Sequence, residues 1–411
     1  MGRLACEDGF DTPSSMSTID NNGESIVKLR LPPPSRQKSK TKRQWLWTGL
    51  MGLIGAIVGY TGVSLFDDLF MKPNGILGVV FMILSIPIAW IVVVGWHEFG
   101  HVVGGWLTGG RFILWVAGPF MLRRTPAGLK WARNRSVNTG GGMAVCFPTD
   151  VNRITPQSTA VMILGGPVSS LLFTVLTIAI CMIPTSAMGA LTHNFLAISG
   201  SLSAFVFAIT IFPHVAGGFK SDGKRAFDLL KGDERSDQEA AMLMLSSASL
   251  GGIRPSEYEP QLIERTLALN DGSLFDLNGK FIVYYHYADK GDWSKAQSCL
   301  DHVVDGEARL VPLIGDLARA EYAWLLATQS NSADAAAAWL ATVGKLDFDP
   351  ATRLRAEAAV AFAKGNQEVA QTKIDEARDA LENRSMSPVI SPFSVEALDQ
   401  LESALRKAEP G

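Results

Sequence analysis

The chain has 411 residues, 47% hydrophobic and 19% charged, with a mean hydropathy of +0.16. That is too apolar for a disordered chain and too apolar for an ordinary soluble one. The net charge of −3 hides a split: residues 1–224 carry 18 Lys and Arg against 10 Asp and Glu (+8), whereas residues 225–411 carry 19 against 30 (−11).

Residues 1–44 are polar, hold Pro32, Pro33 and Pro34 in a row, and have no apolar stretch of the kind a secretory signal needs. The Met-Gly start has Cys6 where myristoylation would want Ser or Thr. This segment reads as a disordered tail ending in a basic cluster, Arg36, Lys38, Lys40, Lys42 and Arg43. Four apolar runs follow, at 45–66, 75–107, 159–183 and 187–213. Each is long enough to cross ~30 Å of hydrocarbon, which takes about 20 residues. Glu98 is the one Asp, Glu, Lys or Arg in all four. A buried core helix would account for one such run but not for four.

Basic residues in short loops orient the spans. The cluster before the first span sets the N-terminus in the cytosol. Asp67, Asp68 and Lys72 then lie outside. Arg111, Arg123, Arg124, Lys130, Arg133, Arg135 and Arg153 lie inside, and so do Lys220, Lys224 and Arg225 after the fourth span. Every loop agrees, so both termini are expected in the cytosol. The expected location is multi-pass in a cytoplasmic membrane of bacterial type.

The second run carries His97-Glu98-Phe99-Gly100-His101 in its last third. On a helix, residues i and i+4 share a face, so two imidazoles can reach one metal ion with a glutamate beside it. Three costly polar groups inside an apolar span mark a functional site more readily than two solvated histidines. Zinc fits two imidazoles and a carboxylate and keeps a fourth position for water. A third ligand is therefore needed. At 1.5 Å per residue His97 lies about 33 Å along its span, near the cytosolic face. Asp222, just past the fourth span, is at the same face and is the favoured partner. His214 and Asp150 are rivals, and the other histidines are His193, His286 and His302. Cys6, Cys146, Cys181 and Cys299 form no Cys-x-x-Cys pair, which argues against a disulfide framework or a cysteine zinc site.

The pairing of this HExxH with a distant Asp222-Gly223 resembles the site-2 protease family of intramembrane zinc metalloproteases. Gly165-Gly166-Pro167-Val168-Ser169-Ser170 in the third run is similar to that family's Gly-Pro motif. The likeness covers residues 75–225. It implies one zinc ion per chain held by His97, His101 and Asp222, with Glu98 as the catalytic base, and a membrane-anchored protein or peptide as substrate. Ser170 stands where the family often has Asn, and Ser221 where it often has Leu.

Between the second and third spans, residues 111–116 and 142–147 are short β-leaning runs punctuated by Gly118-Pro119 and Gly140-Gly141-Gly142. They predict a small membrane-associated sheet whose edge pairs with an unwound substrate strand. Residues 226–411 read as a cytosolic all-α domain. Helical spacing is clearest at 310–327, 333–343, 351–364 and 367–381, in a tetratricopeptide-like pattern without a clean register. Gly291-Asp292-Trp293 with Ala296, and Gly365-Asn366 with Ala370, open similar helices. A docking module for a protein partner and a bundle that packs only on itself explain this half equally well. Its acidity argues against nucleic acid.

The fold expected is therefore an α-helical polytopic membrane protein. Residues 1–44 form the tail, 45–225 a membrane-embedded metalloprotease domain of about four transmembrane helices with the β element, and 226–411 the helical domain. The alternatives to an endopeptidase are a non-enzymatic scaffold with a structural metal site and a metal transporter. The scaffold has no use for Glu98, and the transporter would want polar residues along more than one span.

Overall fold

The computed structural model describes residues 27–33, 70–72, 75–125, 128–134, 141–148, 150–183, 189–216, 219–330, 332–346, 349–383 and 391–408. The apolar run at 45–66 lies outside the described residues. The other three runs are single helices, α1 (Gly75–Leu107), α2 (Pro156–Cys181) and α3 (Ala190–Ile211), each apolar and long enough to cross a membrane. Thr155 and Ser158 cap α2 reciprocally, which ends the preceding loop sharply.

Burial in this layer runs opposite to that of a soluble bundle. Leu77, Leu172, Val175 and Leu176 are exposed, while Ser85, Ser170, Thr174, Thr177, Ser199 and Ser203 are buried. In an apolar surround a leucine has no reason to hide, and here close backbone approach and satisfied hydroxyls mark the inward face. Thr174 donates to the Ser170 carbonyl at 2.9 Å and Ser203 donates to the same carbonyl at 2.8 Å, tying α3 to α2. Gly100 and Gly104 of α1 meet Gly165 and Val161 of α2 backbone to backbone. A methyl group on Gly104 would fall 2.8 Å from the Val161 carbonyl oxygen, so the two helices can be this close only without side chains there.

After α1 the chain turns at Gly109 into a four-stranded antiparallel sheet. Its strands are β1 (Gly110–Ala117), β2 (Phe120–Thr125), β3 (Gly128–Arg133) and β4 (Gly142–Pro148), in the order β3-β2-β1-β4. The sequence anticipates β1 and β4. It missed β2 and β3, whose Arg123, Arg124, Lys130 and Arg133 make them read as a basic loop. Gly118, at φ +54°, and Pro119 form the tight β1–β2 turn. The sheet is fastened to α1 by Trp115, whose indole N–H donates to the Gly95 carbonyl at 2.9 Å. A side chain at Gly95 would collide with that indole.

Beyond α3, the short strands β5 (Val215–Ala216) and β6 (Phe219–Lys220) pair and lead into α4 (Asp222–Leu229). The remainder is helical: α5 (Glu234–Leu250), α6 (Pro260–Leu267), α7 (Leu274–Asp289), α8 (Trp293–Asp305), α9 (Pro312–Gln329), α10 (Ala333–Leu340), α11 (Pro350–Ala363), α12 (Gln367–Asn383) and α13 (Pro392–Ala408). The two similar helix openings in the sequence have the same backbone. Gly291 and Gly365 adopt φ +73° and +78°, and Ala296 and Ala370 are buried in the core. Cys146, Cys181 and Cys299 are buried and unpaired.

The helical part is joined to the apolar layer by apolar contact of Ala160 and Ile163 with Ala226, Leu229 and Ala240, and by charge. Lys220 reaches Asp228 at 2.6 Å and the buried Glu239 of α5 at 2.7 Å. Burial pushes the Glu239 carboxyl up, and the Lys220 hydrogen bond and charge oppose that. Arg265 of α6 pairs with Asp237 and donates to the Ile154 carbonyl, just before α2. Residues 27–33, read from sequence as part of a disordered tail, bond to α8 and α10, with Val27 inside the helical core.

Inside that core Glu321 accepts from Tyr284 and Tyr285, each at 2.9 Å, and pairs with Arg355, which stacks on Trp324 and Phe393. Removing one partner of a buried pair leaves the other charge uncompensated. Glu321→Ala is expected to lower the unfolding free energy of the helical half by about 3–5 kcal/mol. Arg378→Ala, in an exposed cluster with Asp399 and Glu402, is expected to cost ~1 kcal/mol or less. Denaturant titration followed by far-UV circular dichroism measures both.

Candidate metal centre

His97 and His101 stand one turn apart on α1, so the helix presents both rings to the same side; their centroids are 4.9 Å apart and their planes nearly perpendicular. The third group comes from the start of α4. Ser221 caps that helix by accepting from the Lys224 amide, which fixes Asp222 in its first turn. The Asp222 Oδ2 atom lies 3.2 Å from His97 Nε2 and 3.7 Å from His101 Nε2. One donor atom from each residue falls within 4.8 Å of the others. A tetrahedral ion with bonds of ~2.1 Å sets its donors about 3.4 Å apart. The observed separations therefore fit a metal ion, and the donor set suits a divalent one.

Both rings are held from behind. His97 Nδ1 is hydrogen-bonded to Ser170 Oγ at 2.9 Å, and His101 Nδ1 donates to the Met162 carbonyl at 3.1 Å. With the ring protons on Nδ1, both Nε2 lone pairs would face Asp222, the tautomer a metal requires. Burial works against a charge on Asp222, but protonated imidazoles beside it, together with Arg225, hold its carboxyl below the usual range; a metal ion would take the place of those ring protons.

Two glycines make the space. A Cβ on Gly166 would lie 2.8 Å from His97 Nε2 and 2.5 Å from His101 Cε1, in the room between the imidazoles. A Cβ on Gly142, the first residue of β4, would lie 2.6 Å from Glu98 Oε1 and 2.7 Å from a Val94 methyl. Glu98 is thus half-buried against the first residue of the edge strand, beside the donor cluster but not within it.

The rival ligands go elsewhere. Asp150 is exposed and accepts from the Asn152 backbone and side-chain amides. His214 bonds the Phe212 carbonyl two residues away. His193, His286 and His302 pair with the Cys181 carbonyl, the Pro255 carbonyl and Asp276. Sequence reasoning did not assign Ser170 or the Met162 carbonyl as supports, or Gly166 and Gly142 as spacers. Ser170 and Gly166, both in the run Gly165–Ser170 that resembles a Gly-Pro motif, carried the signal that could have pointed to two of them.

Compared with protein-family models, with curated proteins and with solved structures, the chain matches none of the three. The site therefore rests on its own geometry. Losing a hydrogen bond behind a ligand typically weakens metal affinity 10–100-fold. Ser170→Ala is expected to weaken divalent-metal binding by about that factor, and Gly166→Ala, which fills the cradle, by more. Competition titration with a chromophoric chelator measures both, with the helical far-UV spectrum unchanged.

Proposed function

We propose that this chain is an intramembrane zinc endopeptidase of the site-2 protease type, cleaving membrane-anchored proteins near the cytosolic face of a bacterial-type cytoplasmic membrane that it crosses several times. The observation that carries this reading is the position of Glu98. It lies between two ligand-disposed histidines, outside the donor cluster, against the first residue of an edge strand. A scaffold would gain nothing from a half-buried carboxylate there. A structural metal site is closed by four ligands, whereas among the described residues this cluster offers three, which suits a site with an open position.

Zinc held by His97, His101 and Asp222 would supply Lewis acidity, polarising the scissile carbonyl and making water acidic enough to deprotonate near neutral pH. The chain's residues do the rest. Glu98 accepts the proton of the attacking water and passes it to the leaving amine. Ser170 and the Met162 carbonyl hold the imidazole rings in orientation while charge shifts. A transmembrane helix has its carbonyls hydrogen-bonded, so it must unwind before cleavage. β4, at the end of the β3-β2-β1-β4 order, offers main-chain groups to hold the extended form beside Glu98. The basic loop residues of the sheet and Lys220, Lys224 and Arg225 favour the cytosolic side for this chemistry.

Glu98→Gln keeps the shape and removes the base. Its peptidase rate is expected to fall ~10²–10⁴-fold with metal content unchanged, and in cells a single-span protein is expected to accumulate only in the variant. Unchanged cleavage would refute the assignment, and so would concurrent loss of the metal. In an antiparallel strand successive N–H groups point to opposite edges. Of Met143→Pro and Ala144→Pro, one therefore removes an open-edge donor, and that one is expected to slow cleavage at least tenfold while metal stays bound. Equal and unimpaired rates would remove the edge-pairing step.

A further inference from the structure

The segment 27–33 is gripped by the helical half in a way that packing alone does not require. Gln297 of α8 brackets one residue, accepting from the Lys28 amide at 2.8 Å and donating to the Lys28 carbonyl at 2.6 Å. Trp339 of α10 donates its indole N–H to the Arg30 carbonyl at 2.7 Å. The Arg30 guanidinium forks onto α8, bonding Asp301 at 2.8 Å and also Asp305. Val27 is 1% exposed, whereas Leu29 and Leu31 point out at 65% and 79%. Tyr322 of α9 holds the groove together: its hydroxyl donates to Asp301, accepts from Gln297, and its ring stacks on Trp339 at 4.1 Å.

Three of these contacts read main chain and carry no sequence information. Two read side chains: a pocket for a small apolar residue, and an acid pair for an arginine three positions later. This is the division of labour of a peptide-recognition site. We propose that the α8–α10 face is a recognition groove for extended Val-x-x-Arg-type basic segments, and that residues 27–33 are its tethered ligand, exchangeable for the basic cytosolic flank of a membrane-anchored substrate. The choice of partner rests on the endopeptidase reading. It follows from charge: the groove belongs to a half of net charge −11, and cytosolic flanks of single-span proteins carry the Lys and Arg excess. Tethering gives the resident segment a high effective concentration, so the groove is screened from any weaker or scarcer competitor.

The test uses the full-length chain in detergent carrying Glu98→Gln, so that the readout is independent of peptidase activity. The probe is a fluorescent peptide with the sequence of residues 24–34, followed by anisotropy. Val27→Asp with Arg30→Glu in the chain evicts the tether and is expected to tighten probe binding at least tenfold. Adding Gln297→Ala and Asp301→Ala is expected to abolish the gain. A probe with Glu at the position of Arg30 is expected not to bind. An evicted chain that binds the probe no more tightly than the parent, with an unchanged melting profile, overturns the proposal. Should eviction unfold the helical half, limited trypsinolysis of the parent decides. Excess unlabelled peptide is expected to speed cleavage after Lys28 and Arg30 at least threefold, and no acceleration overturns the proposal equally.

Discussion

Two imidazoles on one helix and a carboxylate 125 residues further along must meet at the edge of an apolar layer, and much of the fold can be read as the means of holding them there. Unpaired, each polar group would be costly in such surroundings. Brought together with donor atoms 3.2 and 3.7 Å apart, they become mutually stabilising and able to share a cation. The side-chain-free contact of α1 with α2 sets the depth at which His97 can reach Ser170, and the cap at Ser221 sets where Asp222 emerges. Gly166 keeps the space between the rings empty. A change at any of these positions acts on the site without touching a ligand.

The same constraint explains why the helical half is bound so firmly to the layer. Asp222 opens α4, and α4 carries Asp228, which with Glu239 of α5 grips Lys220. Asp222 is therefore two residues from a buried charge network that ties the helical domain to the layer.

How much was legible in the sequence depended on the range of each signal. The His97–His101 pair is a local pattern, four residues on one helix, and needed no tertiary information. Asp222 was reached by reading the apolar runs as spans, whose rise per residue would set the end of α1 and the start of α4 at one level, and the structure brings it to the histidines. Ser170 and Gly166 sit in a recognisable motif, but their contacts to the histidines span 73 and about 65 residues and arise only from packing. β2 and β3 escaped notice because Arg123, Arg124, Lys130 and Arg133 mask a short alternating pattern. The docking of residues 27–33 was hidden for a different reason. A polar, proline-containing segment has no core of its own, and its order comes entirely from a groove built some 270 residues later.

The claim on which the account turns is that His97, His101 and Asp222 together bind one divalent ion. X-ray absorption spectroscopy on the purified full-length protein, with metal quantified per chain, tests it most directly. The account predicts one zinc per chain coordinated by two imidazole nitrogens and carboxylate oxygen, with the carboxylate signal lost in Asp222→Ala. Substoichiometric metal, or a coordination shell unchanged by that substitution, would contradict it.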